Sequence, residues 1–371
     1  MWPDRRLIEL LRIEHPLILA PMAQYCTIEL AAAVCEAGGL GSISCSTMPP
    51  EAAAQIIGDL RRRSDRPVNV NFFCHRPASA DAAREQAWHD RLSPYRRELG
   101  IQREPPPPRL ALAPFGQAMC AVVESARPQV VSFHFGLPEA ALLARVKAVG
   151  CRVMSSATTV EEARWLEAHG VDAVIAQGIE AGAHRGTFLA DDPSAAAASQ
   201  QGTLALVPQI VDAVGVPVVA AGGIADGRAI AAAFALGAAG IQLGTAYLLC
   251  PEAGTPPLHR EALRQRRGHN ATVITNVFTG RPARALVTRL ARELGPMSDA
   301  TPDFPLPLGE LAPLRAKAEQ QGSNDFTPLW SGEAAPLARD MPAKALTLEL
   351  AKEAAERFGQ LNGPSRSATG A

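Results

Sequence analysis

The sequence predicts an α/β protein built as a closed (β/α)8 barrel, the TIM-barrel architecture, on three observations. A short apolar, β-branched run that ends in small or polar residues recurs eight times between residues 16 and 245. Alanine-rich helical stretches separate most of these runs, and two of them close on a glycine, Gly150 and Gly170. The first run ends in Ala20-Pro21-Met22-Ala23 rather than in Gly-x-Gly-x-x-Gly, and no Walker-type Gly-x-x-x-x-Gly-Lys is present. Strands alternating with helices call for a parallel sheet, and eight of them suit a closed barrel better than an open doubly wound sheet.

The predicted strands are 16–22, 40–44, 67–73, 130–135, 152–157, 173–178, 217–223 and 240–245. Predicted helices cover 28–37, 51–63, 138–149, 160–169, 204–213 and 226–236. Two segments break this rhythm. Residues 74–129 read as a long insertion after the third strand, with the proline run 105–108 as an extended surface spacer. Residues 246–335, rich in Pro, Arg and Gly, read as a cap after the eighth strand, with a helix over 284–294. The barrel core is expected over 1–245, the cap over 246–335, a closing helix within 336–360, and a disordered Ser/Gly-rich tail over 361–371.

Composition narrows the function classes. The chain has 371 residues, 47% hydrophobic and 20% charged, enough apolar content for one large core. Lys and Arg number 36 against 37 Asp and Glu, so no global basic field exists for nucleic acid or an anionic membrane. Seven cysteines with no Cys-x-x-Cys pair argue for buried thiols in a reducing, cytoplasmic setting. No 18-residue apolar stretch escapes Gly, Pro or charge, and the first residues lack the pattern of a signal peptide, so no membrane association is expected. No His-Glu-x-x-His or other metal-ligand spacing occurs, so no metal is expected.

Strand alternation places polar side chains inside the barrel. Val68 and Val70 share one face of the third strand, and Asn69 and Asn71 share the other. The same alternation turns Ser132, His134 and Gln242 inward. Buried polar groups must find partners, either in one another or in a flat polar ligand. Gly222-Gly223 and Gly244-Thr245 end the seventh and eighth predicted strands, where barrels often bind phosphate through backbone amides. His184 sits among small residues directly after the sixth strand, where barrel enzymes place proton-transfer groups. Arg185 beside it reads either as an anion partner or as a solvated arginine.

These segments resemble the nitronate monooxygenase family, formerly 2-nitropropane dioxygenases, over roughly residues 12–358. The resemblance rests on residues 16–22 (PLILAPM), 70–71, 130–136 (VVSFHFG), 177–186 (QGIEAGAHRG), 221–223, 242–245 (QLGT), 278–282 (FTGRP) and 329–332 (LWSG). It implies FMN-dependent oxidative denitrification of nitronates, and of nitroalkanes, by O2 to a carbonyl product and nitrite. By that similarity Met22, Asn71, Gln177, Gly182, Gly222, Gly223, Gln242, Gly244 and Thr245 would contact FMN. His184 matches the catalytic histidine, and His134 is a further candidate for substrate or flavin contact. One departure stands out: Ala183 replaces a glycine common before the histidine, and is expected to alter the loop shape. The tyrosines and lysine that some members use around the substrate are not matched. The partners expected are a small nitronate or nitroalkane and O2, and a homodimer stands as an option for assembly.

Two other functions compete. An FMN- and NAD(P)H-dependent enoyl-acyl-carrier-protein reductase would share the barrel and a similar histidine loop. A non-catalytic flavin- or phosphate-binding barrel would need no histidine at residue 184. An enzyme of the IMP dehydrogenase type would need a cysteine in a Gly/Ser-rich loop after the sixth strand, which the chain lacks.

Overall fold

The computed structural model describes residues 2–79, 81–101, 112–265 and 272–362. Six parallel strands come first: β1 (Leu17–Leu19), β2 (Gly41–Ser44), β3 (Val68–Phe73), β4 (Val130–His134), β5 (Arg152–Ala157) and β6 (Ala173–Gln177). The two-residue strand β7 (Ala183–His184) lies outside the barrel. β8 (Val218–Ala221) and β9 (Gly240–Leu243) complete the barrel, in the order β1-β9-β8-β6-β5-β4-β3-β2. A parallel bridge between Ile18 and Leu40 closes it, with Leu19 N donating to Leu40 O and Leu40 N to Leu17 O, both at 2.9 Å. The barrel and all eight strands expected from the sequence are therefore present.

Local chemistry explains the helix boundaries. Thr27, Thr159 and Asp226 each cap a helix by accepting from a backbone amide of the first turn, ahead of helices Ile28–Glu36, Val160–Ala168 and Gly227–Ala235. Gly150 and Gly170 take positive φ just past their helices, the conformation that ends a helix most easily at glycine. Helix Ala343–Asn362 packs between helices Gly227–Ala235 and Ile28–Glu36 and covers that flank. It begins later than residue 336 and includes Leu361, so the predicted tail starts inside it; residues 363–371 lie outside the described residues.

The outward faces of the strands, including Val68, Val70, Val131 and Phe133, pack on the helices in one large apolar core. Helix Arg6–Leu11, not foreseen from the sequence, plugs the bottom of the barrel. Its Leu7 and Leu11 join Ile18, Val130, Met154, Ile175 and Val219. Gly240 makes this possible, because a Cβ there would lie 2.1 Å from Leu7 Cδ2.

The upper face carries a second, smaller core. Trp88, Leu92 and Tyr95 of helix Ala82–Glu98 pack with Val277, Phe278, Leu290, Leu311, Leu314 and Phe326. The insertion after β3 and the region after β9 thus form one body. A short antiparallel sheet ties it to the barrel: β10 (Thr272–Thr275) pairs with β11 (Ala283–Leu286), which pairs with β7. This corrects the helix expected over 284–294. Only Arg289–Leu294 is helical, because the Ala-Arg-Ala-Leu run finds strand partners on both sides and all four of its residues are buried. The proline run 105–108 lies outside the described residues.

Candidate functional site

The C-terminal ends of the barrel strands open into one cavity. Its wall includes Met22, Asn71, His134, Gln177, Gly182, His184, Gly222, Gly223, Gln242, Gly244 and Thr245, whereas Asn69 and Arg185, also singled out from the sequence, lie outside it. Inside the barrel, Asn69 Nδ2 donates to Ser42 Oγ at 3.0 Å, while Asn71 Nδ2 donates to Ser132 Oγ at 3.0 Å. Asn69 thus commits its amide nitrogen inside the barrel, while its Oδ1 is buried without a hydrogen-bond partner. Asn71 and Ser132 bind each other and still line the cavity.

The loop after β6 is held by its first residue. Gln177 Nε2 donates to the His184 carbonyl at 3.0 Å, and Gly186 N donates to Gln177 Oε1 at 2.8 Å. Arg185 is neither anion-paired nor solvated. It is fully buried, donating from Nη2 to the Gln177 carbonyl and from Nε to Gln200 Oε1, and burial lowers its pKa to about 9. Ala183 takes φ +61°, the left-handed conformation that glycine adopts most easily. The β7–β11 pairing of Ala183 with Arg284 and of His184 with Ala283 holds it there, despite the cost to a residue with a Cβ.

His134 has both ring nitrogens engaged. Its Nε2 lies 3.2 Å from the His184 carbonyl, an acceptor only, so this nitrogen is the donor. Its Nδ1 then accepts from Ser156 Oγ at 3.0 Å. The ring therefore lines the cavity with its polar atoms committed to protein partners.

His184 sits in an aromatic enclosure of Phe73, Phe135, Phe304 and Trp330, with ring centroids 5.4–6.2 Å away. Its Nε2 lies 3.0 Å from Thr279 Oγ1, while no described residue hydrogen-bonds its Nδ1. Burial, then the charges of His134, Arg281 and His75, lower its pKa to about 3, so the ring is neutral at neutral pH. Arg281 contributes from behind Phe135, its guanidinium carbon 4.1 Å from that ring's centroid.

At the other side of the cavity, Gly222 and Gly223 take φ +115° and +70°. The amides of Gly222, Gly223, Gly244 and Thr245 find no acceptor among the described residues. Two adjacent strand ends thus present free donors, which suits a phosphate. Thr245 Oγ1 meanwhile accepts from Gly332 N at 2.9 Å and fastens the cap to this corner. Gly182 allows the same close approach, since a Cβ there would lie 2.6 Å from Gly332 N. Gln242 Oε1 is buried without a hydrogen-bond partner, a vacant acceptor that an N–H of a flat heterocycle would satisfy. These features fit FMN. Among the described residues no cluster of His, Cys, Asp or Glu could hold a metal ion. No described helix is long and apolar enough to cross a membrane.

Sequence reasoning missed Thr279, Phe304, Leu308 and Arg315, which also line the cavity. Thr279 and Trp330 lie in segments flagged by resemblance, with no chemical role assigned to either. Phe304, Leu308 and Arg315 carry no local pattern; the cap fold alone brings them here.

Known proteins are similar to this chain over nearly its whole length. The family described as nitronate monooxygenase matches residues 4–353. A nitronate monooxygenase of Pseudomonas aeruginosa is 44% identical over 353 residues, covering 94% of this chain and 98% of that protein. One from Paraburkholderia phytofirmans is 43% identical over 364 residues, covering 96% and 97%. Among solved structures, a nitroalkane oxidase from Streptomyces ansochromogenes superposes with a TM-score of 0.86 at 38% identity, covering 96% of this chain and 100% of that one. FabK from Thermotoga maritima gives 0.74 at 30% identity, covering 98% and 99%.

Proposed function

The chain belongs to the nitronate monooxygenase family, and from that premise we propose that it is an FMN-dependent enzyme that converts alkyl nitronates, and nitroalkanes, with O2 into carbonyl compounds and nitrite. The family is flavin-dependent and oxidises nitronates. The observation that carries the finer reading is that His184 faces the same cavity as the free amides of Gly222, Gly223 and Thr245.

In this reading the amides at residues 222, 223, 244 and 245 hold the FMN phosphate. Met22, Asn71, Gln177, Gly182 and Gln242 border the rest of the cofactor. When bound there, FMN would supply the redox chemistry that links oxidation of the substrate to reduction of O2. The protein's own part is placement and proton control. Phe73, Phe135, Phe304 and Trp330 exclude water around His184. The neutral imidazole removes the α-proton of a nitroalkane; a nitronate, which already lacks that proton, needs no such step. Residues 246–335, joined by helix Ala82–Glu98, act as the cap over this chamber, and the enzyme works in the cytoplasm.

The test is spectroscopic. The purified protein is expected to be yellow, and anaerobic addition of propionate 3-nitronate or a nitroalkane should bleach the flavin band. A colourless protein that takes up no FMN on reconstitution overturns the reading. Bleaching by NADPH alone at turnover rates would favour an enoyl reductase.

A further inference from the structure

We propose that Thr279, a cap residue, is a positioning residue that fixes the tautomer of His184, holding the ring proton on Nε2 so that Nδ1 is the proton acceptor facing the substrate. The inference rests on the function proposed above. Thr279 Oγ1 has three neighbours: His184 Nε2 at 3.0 Å, the Arg281 carbonyl at 3.3 Å and the Arg281 amide at 3.4 Å. The hydroxyl owns one hydrogen and two lone pairs. If the hydrogen goes to the Arg281 carbonyl, the lone pairs accept from Arg281 N–H and from His184 Nε2–H, and the hydroxyl and its three neighbours are all satisfied. If it goes instead to Nε2, the carbonyl loses its donor. The ring proton is then forced onto Nδ1, the nitrogen without a protein partner, where it would block proton uptake.

Thr279 is buried, so water cannot readily substitute for either bond. The turn that carries it is rigidly placed. Gly280 takes φ +84°, and a Cβ there would meet the Pro302 carbonyl oxygen at 2.2 Å. Phe278 packs against Trp330 on the other side. In the step itself, the α-proton passes from the nitroalkane carbon to Nδ1 and the C–H electron pair moves into the nitro group. The resulting imidazolium keeps its Nε2–H bond to Thr279. A nitronate already lacks that proton and needs no base, so the two substrates separate the roles.

The experiment compares Thr279→Val and Thr279→Ser with the unaltered protein. Nitrogen NMR of histidine-labelled protein, with His184→Asn identifying the signal, reads the tautomer directly. The unaltered protein should show Nε2 protonated and Nδ1 bare. Thr279→Val should lose that preference, and kcat/KM for nitroethane should fall about tenfold or more while that for ethyl nitronate falls less than about twofold. Thr279→Ser should restore both. Thermal melts exclude a folding defect, with Thr279→Ala as the alternative variant. An Nδ1–H signal in the unaltered protein, or equal losses on both substrates, overturns the proposal. If neither substrate is oxidised, the functional reading fails, while the NMR arm still decides the role of Thr279.

Discussion

Gln177, the last residue of β6, holds the carbonyl of His184 through its side-chain amide at 3.0 Å, seven residues along the chain. The same amide accepts from Gly186, so one glutamine closes the loop around the histidine. Gln177→Leu should strand the buried Gly186 amide and release one bond on the His184 carbonyl, at a cost of about 1–3 kcal/mol in stability. Turnover should fall as His184 gains freedom. Denaturant unfolding and kcat/KM measure the two effects, and a variant unchanged in both would show the clasp to be idle.

Ala183 offers a stabilising change. At φ +61° it adopts a conformation that costs an alanine about 1–2 kcal/mol, partly offset in a glycine by the entropy of a more flexible unfolded chain. Ala183→Gly should therefore raise stability by up to about 1 kcal/mol without loss of activity. A lower melting temperature would mean that the β7 pairing tolerates the alanine at no cost.

The corner proposed above for the phosphate depends on absent side chains. Gly222→Ala would place a Cβ 3.0 Å from Ala181 N at φ +115°. That strain is of order 1–3 kcal/mol, so FMN affinity should drop about tenfold or more. Flavin content after gel filtration and titration of the stripped protein would show it; full retention of FMN would place the phosphate elsewhere.

Acid should destabilise the fold before its carboxylates titrate. His134 and His184 have pKa values lowered by burial to about 3, and His259 to about 4. Above about pH 6.5 these rings are neutral both folded and unfolded, and their contribution is fully present. As pH falls from about 6.5 toward 3–4, the unfolded chain takes up protons that the folded one refuses, so stability declines. Melting temperature should fall already between pH 6.5 and 5, and a flat profile there would contradict it.

Arg281 tunes this response. Its charge lowers the pKa of both His134 and His184, so Arg281→Gln should raise both and flatten the acid slope. The acid limb of nitroalkane turnover should move to higher pH. An unshifted limb would remove Arg281 from the electrostatics of the site.

The barrel was legible because its signals are local. Val68 and Val70 alternate with Asn69 and Asn71, and this alternation alone decides which face meets helices and which meets the interior. The glycine pair at 222–223 and the histidine at 184 were recoverable for the same reason, since strand ends are where a barrel gathers its ligands. Residues 283–286 misled because a short Ala-Arg-Ala-Leu run has no decisive period. Its strand state comes from partners 99 to 101 residues earlier in the chain and 8 to 14 residues before it.

By itself, the sequence determined the eight-stranded barrel, its inward polar residues and the glycine-rich corner, because each follows from backbone geometry within a few residues. Only the tertiary structure decided what His184 can do. It set Thr279 on one ring nitrogen, left the other bare and enclosed the ring with Phe304 and Trp330. It also engaged both ring nitrogens of His134 with protein partners, one of them the carbonyl of His184. Those outcomes depend on contacts between segments 22 to 146 residues apart, which no local pattern encodes.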